Sequence, residues 1–360
     1  MGRKDPAFAA GTDTVAQRRT DRVTISDVAA LAGVSTAAVS KIVNGKGSFP
    51  QATRDRVQRA VVQLNWAPSA AAVALRGART RAIGMVAGRT PDVLNSDPHF
   101  ALLIAGIESE LAPRDHGLLL HIVGEQPDAA ERAYRRLATE RRVDGVILTE
   151  SRVGDPRFAL LRGLRLPAVL VGTPWQSDPV PTVRAAEQDQ GMADAVEHLV
   201  GLGHRRIGYV SGPEDRVHTG RRRAVFTEAL ARHGLSPSHL LASDFAGQTT
   251  GSLVEKVLAT ADRPSALVLA NDMMALAALA AAQRTGRQVP RDLSLIGHDD
   301  LPVGHLLHPR LTTVRQDLAG LGRAAALSVL QQLGEEPAGP LPEVTPPQLV
   351  VRESTGPAPG

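Results

Sequence analysis

Eight short apolar runs, each followed by a helical pattern, limit what residues 81–297 can fold into. The runs RAIGMVAG (81–88), LLLHIVG (118–124), GVILT (145–149) and AVLVG (168–172) are almost continuously aliphatic. Each must be buried on both faces, as strands of a parallel sheet are. The intervening segments near 98–113, 127–141 and 156–163 read as helices. A second series repeats the alternation, with strands at 207–212, 240–245, 266–271 and 293–297 and helices near 189–202, 219–233, 248–261 and 272–285. Strand–helix alternation run twice predicts an α/β body of two doubly wound parallel-sheet subdomains. Such a pair presents its ligand-contacting residues at the C-terminal ends of its strands and commonly holds a small molecule between its halves.

The polar residues at those strand ends are candidates for that role. Asn271-Asp272 follows ALVLA, His298-Asp299-Asp300 follows LSLIG, and HTGRRRAVF (218–226) opens a helix after YVSG. Asn, Asp and Arg side chains can hydrogen-bond sugar hydroxyls in pairs. The same residue types cap helices. Capping is the expected role of Asp272 and Asp300, whereas for Asn271 and Asp299 the residues alone leave both roles open.

At 360 residues the chain is too long for one core, and its charge is unevenly spread. Residues 1–81 carry 13 Lys/Arg against 5 Asp/Glu, and the remainder carries 28 against 32. A basic head on a slightly acidic body suggests a polyanionic partner for the head. Cysteine is absent, which excludes disulfides and cysteine-ligated zinc and fits a reducing cytosol. Residues 1–22 are polar, with no leader-like apolar stretch, and read as a disordered basic arm. The longest apolar run, MMALAALAAA (273–282), is half a membrane span and reads as a buried helix. The expected location is cytoplasmic.

The head opens with VTISDVAALAGVSTAAVSKIVNG (23–45). Thr24 and Asp27 are spaced as a capping box for a helix over 25–32, whose Ile25, Val28, Ala29 and Ala32 share one face. Gly33 ends it, and Ser35 caps a second helix over 36–43 with Val39, Ile42 and Val43 inward. A third helix begins near Pro50, with Val57, Val61 and Leu64 as its inner stripe. Two short helices joined by a glycine turn and braced by a third are a helix-turn-helix. Its second helix would enter the major groove, where the small Thr36, Ala37 and Ser40 permit close approach and Lys41 and Asn44 reach bases or phosphates. Beyond it, Pro68 and Ser69 start a short helix over 70–76 containing Leu75. Composition leaves two roles for Leu75: a minor-groove wedge, or a linker residue tucked against the next domain.

The ordered string TISDVAALAGVSTAAVSKIVNG…TRDRV…LNWAPSAAAVALR resembles the DNA-binding head and hinge helix of the LacI/GalR (lactose-repressor) family of bacterial transcription regulators. EHLVGLGHRRIGYVSGP, TGRRRAVF, LVLANDMMALAAL, LSLIGHDD and HPRLTTVRQD match that family's effector domain, itself similar to periplasmic sugar-binding proteins. The resemblance spans residues 23 to about 352. It implies phosphate contacts from Thr24, Ser35, Asn44 and Thr53, base reading by Thr36, Ala37 and Lys41 beside Ser40, and a wedge at Leu75 next to Arg76. It implies effector contacts from Arg222, Asn271 and Asp299, with aromatics at Phe100 and Phe245. Departures are Ala37 in place of a longer polar residue, Pro50 in place of a hydroxyl residue, Val225 in place of glycine and His298 in place of an aromatic.

The implied protein is a homodimeric regulator that binds an inverted-repeat operator in double-stranded DNA and is released by a small effector, by family default a carbohydrate. It needs no cofactor or metal. The expected division is an arm (1–22), head (23–68), hinge helix and linker (69–80), effector-binding and dimerisation domain (81–352) and a disordered tail (353–360). An activator or corepressor-dependent regulator of the same fold is the near alternative, and a sugar-binding protein without gene regulation is another. An enzyme is disfavoured: the chain has no G-x-S-x-G, P-loop or strand–G-x-G-x-x-G–helix motif.

Overall fold

The structure is a computed structural model and describes residues 23–67, 79–89, 98–124, 126, 128–176, 180–335 and 340–360. The arm, most of the expected hinge segment, and with it Leu75 and Arg76, lie outside the described residues. The chain divides into two units, residues 1–78 and 79–360.

In the first unit α1 (Ile25–Ala32), α2 (Thr36–Val43) and α3 (Gln51–Gln63) pack on one another. Val28, Ala29, Ala32, Val39, Val57 and Ala60 form their small core. The Asp27 carboxylate accepts from both the Thr24 N–H and hydroxyl at 2.7 Å. The turn between α1 and α2 hinges on Gly33, whose φ of +63° lies in the left-handed region that glycine enters without strain. The Ser35 hydroxyl accepts from the Ala38 N–H at 3.2 Å and caps α2. Pro50 stands just outside α3 as its cap residue rather than in its first turn.

The second unit contains two sheets. The first runs β2-β1-β3-β4-β5, all parallel, from β1 (Ala82–Ala87), β2 (Gly117–Ile122), β3 (Gly145–Leu148), β4 (Ala168–Val171) and β5 (Thr182–Val183). Along β1, Ile83 and Met85 face one layer with α4 (His99–Leu111). Val86 faces the other, where α5 (Ala129–Thr139) and α6 (Arg157–Leu164) supply Tyr134, Leu137, Phe158 and Leu161. Period-two alternation in a doubly covered sheet explains why these runs are apolar at every position.

The second sheet runs β11-β10-β9-β8-β6-β7 and is parallel except for β11. Its strands are β6 (Ile207–Ser211), β7 (His239–Ala242), β8 (Ala266–Leu269), β9 (Ser294–Asp299), β10 (Thr312–Arg315) and β11 (Gln348–Val350). The helices α7 (Gln190–Gly201) and α8 (Val217–Ala231) cover one face, and α9 (Gly247–Leu258) and α10 (Asp272–Arg284) the other.

The last helix, α11 (Leu318–Gln332), follows β10 of the second sheet yet packs on α4 and the first sheet, where Ala324–Ala326, Val329 and Leu330 join the core around Ile83 and Phe100. The chain therefore passes between subdomains more than once, which a strand-by-strand reading of the sequence does not convey. The segment beyond β11 corrects the expectation of a disordered tail. The Leu295 N–H donates to the Ser354 carbonyl at 2.8 Å, the Gly356 N–H to Ser294 Oγ at 3.1 Å, and the Ala358 N–H to the Leu202 carbonyl at 2.9 Å. The buried His204 ring lies 3.0 Å from the Gly356 carbonyl and 2.9 Å from Ser265 Oγ. These contacts hold a polar, Pro/Gly-rich stretch that no local propensity would order.

Candidate functional site

On the head, Thr36, Ala37 and Lys41 are exposed on α2 and Ser40 is half-buried, with Ala37 and Lys41 opposite the buried Val39. Thr24 and Ser35 are exposed but already engaged, Thr24 with Asp27 and Ser35 as the cap of α2. Thr53 is half-buried in the first turn of α3. The Asn44 amide donates to the Ser40 carbonyl at 2.5 Å, so in this conformation it closes the end of α2. Lys46, Arg54, Arg56 and Arg59 add exposed positive charge. A helix N-terminus bearing small polar side chains, on a head with exposed cations, is suited to phosphate and base-edge contact.

In the second unit a cleft of about 1140 Å³, open solvent at its mouth included, lies where the C-terminal strand ends of the two sheets meet. Arg222, Phe245, Asn271 and Asp299 all line it. Phe100 does not. It is 3% exposed and belongs to the buried cluster that includes Leu103, Ile107 and Ala325. His99, one position earlier and rotated about 100° around the helix, faces the cleft instead.

Asn271 caps α10, its Oδ1 accepting from the Met274 N–H at 2.8 Å. Capping thus occupies the amide oxygen of this cleft-lining residue. Asp299 caps nothing. It ends β9 at a φ of +108°, accepts from Gln316 Nε2 at 2.5 Å and lies 3.7 Å from His99 Nδ1. Burial raises its carboxyl, but His99 and the Arg222 charge outweigh burial and hold it at about 2. Neither Asp272 nor Asp300 takes the capping role expected of it. Asp272 is buried, accepting from Thr313 Oγ1 and the Leu301 N–H at 2.6 Å, and burial plus the Asp299 charge push it up to about 7. Asp300 pairs with Arg315 at 2.7 Å and Arg352 at 2.5 Å. The Arg222 guanidinium donates to the Ala270 carbonyl at 3.2 Å, which fixes it beside Asn271.

Other cleft residues were not singled out by sequence reasoning. Arg89 and Glu150 follow β1 and β3, and the Arg89 Nε donates to Glu150 at 3.0 Å. Arg221 makes a bidentate pair with Asp189 at 2.7 and 2.6 Å. His218 stacks on Phe245 at 6.2 Å, and burial and the Arg222 charge lower it to about 3. The rule that ligands meet the C-terminal ends of parallel strands applies to the first sheet as much as the second, and it would have marked Arg89 and Glu150.

A family model described as "Bacterial regulatory proteins, lacI family" matches residues 24–69, and one described as "Periplasmic binding protein-like domain" matches residues 196–355. The HTH-type transcriptional repressor PurR of Aliivibrio salmonicida (strain LFI1238) is 34% identical over 317 residues, 87% of this chain and 93% of that protein. The chain belongs to the LacI family of bacterial regulatory proteins. Among solved structures, the lac repressor dimer bound to operator and the anti-inducer ONPF superposes with a TM-score of 0.80 at 28% identity, covering 93% of this chain and all of that one. A complex of the transcriptional regulator CelR with cellobiose gives 0.69 at 30% identity, covering 92% of this chain and all of that one. As a LacI-family protein, the chain is a DNA-binding transcriptional regulator with a helix-turn-helix head and a two-subdomain effector body. Among its described residues no single helix is long and apolar enough to cross a membrane.

Proposed function

We propose that this regulator is a cytoplasmic homodimeric repressor that binds an inverted-repeat operator through its head and leaves it when a small neutral carbohydrate occupies the cleft. The convergence of Arg222, Asn271 and Asp299 at the strand ends carries this reading. Each presents a donor or acceptor suited to paired hydroxyls; of the other charged residues lining the cleft, Arg89 pairs with Glu150 and Arg221 with Asp189, while Arg184 is exposed. Phe245 supplies the apolar surface for a sugar ring. On the head, Thr36, Ala37 and Lys41 read bases, Ser40 permits close approach, and Thr24, Ser35, Asn44 and Thr53 contact phosphates. The effector acts through its unequal affinity for two states of the chain, a coupling of ~1–3 kcal/mol in typical cases.

The test is operator binding by the full chain, with and without a panel including cellobiose and ribose. Affinity should fall steeply between ~50 and ~200 mM salt, as phosphate neutralisation requires. One panel sugar should weaken operator binding and raise the melting temperature. Lys41→Ala should cost about 1–3 kcal/mol on the operator and little on random DNA. Salt-insensitive binding, or an equal Lys41→Ala loss on both DNAs, contradicts the head assignment.

A further inference from the structure

Arg89 belongs to the first subdomain, but its guanidinium carbon lies 4.5 Å from the ring centroid of Phe245 in the second, and 5.4 Å from that of Phe100 in its own. Glu150 holds it there through a bidentate pair, with the arginine side chain 7% and the glutamate 14% exposed. The residues that follow Glu150 also cross the cleft. The Val217 N–H donates to the Ser151 carbonyl at 2.9 Å, the Val153 N–H to the Asp215 carbonyl at 2.8 Å, and Arg152 pairs with Arg216 as an antiparallel bridge. Glu150 itself sits at a φ of +51°, at the corner that turns the chain from β3 into this bridge.

We propose that Glu150 is a positioning residue which, by holding Arg89 over Phe245, latches the two subdomains together beside the effector cleft. The inference rests on the effector reading of that cleft. Three arginines, Arg89, Arg152 and Arg216, gather at the bridge; Glu150 pairs with Arg89, and Asp215 lies 3.7 Å from Arg152 and 3.6 Å from Arg216. Arg216 is 7% exposed and its Nε has no hydrogen-bond partner among the described residues. Glu150 therefore both anchors Arg89 over the Phe245 ring and compensates buried positive charge. Burial alone would raise its carboxyl, but Arg89 and the Arg216 charge keep it ionised, at about 2. An effector that stacks on Phe245 competes with Arg89 for that ring, which ties latch opening to occupancy.

Hydrogen–deuterium exchange on the full chain, without any effector, tests the latch. The reporters are residues 151–155 and 213–219, which contain the cross-cleft donors Val153 and Val217, and the control is β8. Arg89→Ala, which deletes the ring contact, should speed reporter exchange by about 2- to 30-fold with β8 unchanged. Glu150→Gln should do so more strongly, because it leaves Arg89 and Arg216 uncompensated. The double variant should fall back towards Arg89→Ala, a rescue that a merely structural role for Glu150 would not give. Unchanged reporters, exchange rising equally in β8, or a double variant worse than both singles would each overturn the latch. Such a result leaves the effector reading standing, and an effector screen that finds nothing leaves the exchange result standing.

Discussion

Asp299 adopts a φ of +108°, a region a non-glycine residue enters only when its surroundings over-determine it. The Gln316 bond and the proximity of His99 are those surroundings, in a cleft that Arg222 and Asn271 also line. Asp299→Asn is the informative variant, since Asn tolerates positive φ better than Ala and keeps the shape while removing the charge. It should weaken effector binding by about 1.5–3 kcal/mol, the loss expected for a hydrogen bond to a charged group. Effector-free operator binding should stay near wild type, whereas the melting temperature should fall, because a carboxyl held at about 2 against its ordinary 3.8 stabilises the fold at neutral pH. Calorimetric titration with the sugar that passes the panel, beside an operator-binding assay, measures both; an unchanged effector affinity refutes the assignment of Asp299. The same scale explains Phe100. The motif places an aromatic after the first strand, but which of two adjacent residues on α4 meets the cleft is decided by the helix's rotation against the sheet, and His99 takes that position.

At the scale of elements, α4 and α11 touch backbone to backbone. A Cβ on Gly106 would lie 2.2 Å from the Ala319 carbonyl oxygen, and one on Gly322 would lie 2.3 Å from the Leu103 carbonyl oxygen. Glycine at both positions lets a helix from the far end of the chain close over the first sheet. Gly106→Ala should therefore destabilise the protein by about 1–3 kcal/mol despite the better helix propensity of alanine, because backbone cannot move aside cheaply. Gly163→Ala on α6, where a Cβ meets nothing within 4 Å, should be neutral or stabilise by up to ~1 kcal/mol. Chemical denaturation of the two variants checks the contrast, and equal effects would mean that α4 and α11 separate readily. Most strands and helices of both subdomains were legible from period and composition. Missed were β10, α11 and β11, whose place depends on partners far away in sequence, and the two-residue β5.

For the whole molecule, buried histidines couple folding to pH. His298 is 3% exposed, neither ring nitrogen has a hydrogen-bond partner among the described residues, and burial and the Arg222 charge hold it at about 3, against an ordinary 6.5. Below pH 6.5 the unfolded chain takes up a proton that the folded chain refuses, so this group removes stability as pH falls from about 6.5 towards 3. The loss is about 1.4 kcal/mol per pH unit. Asp272 opposes it: raised to about 7, it adds stability as pH falls through that value and ceases to add below its ordinary 3.8. His298→Phe should remove the first contribution, so between pH 7 and pH 5 it should lose about 2 kcal/mol less stability than wild type does. Unfolding free energies at both pH values test this, and parallel losses would place the His298 proton elsewhere.

The sequence by itself determined the helix-turn-helix, because capping residues, a glycine turn and period-3.6 apolar spacing are local, and it determined the strand–helix alternation for the same reason. It also marked Arg222, Phe245, Asn271 and Asp299, each attached to a recognisable motif. Only the tertiary structure decided that His99 rather than Phe100 faces the cleft, and that Asn271 caps α10 while Asp299 does not. It alone joined Arg89 and Glu150 across 61 residues and bound Ser354 and Gly356 into the second subdomain. These depend on which distant surfaces meet, and on which polar groups must find partners once water is excluded. No local pattern records either.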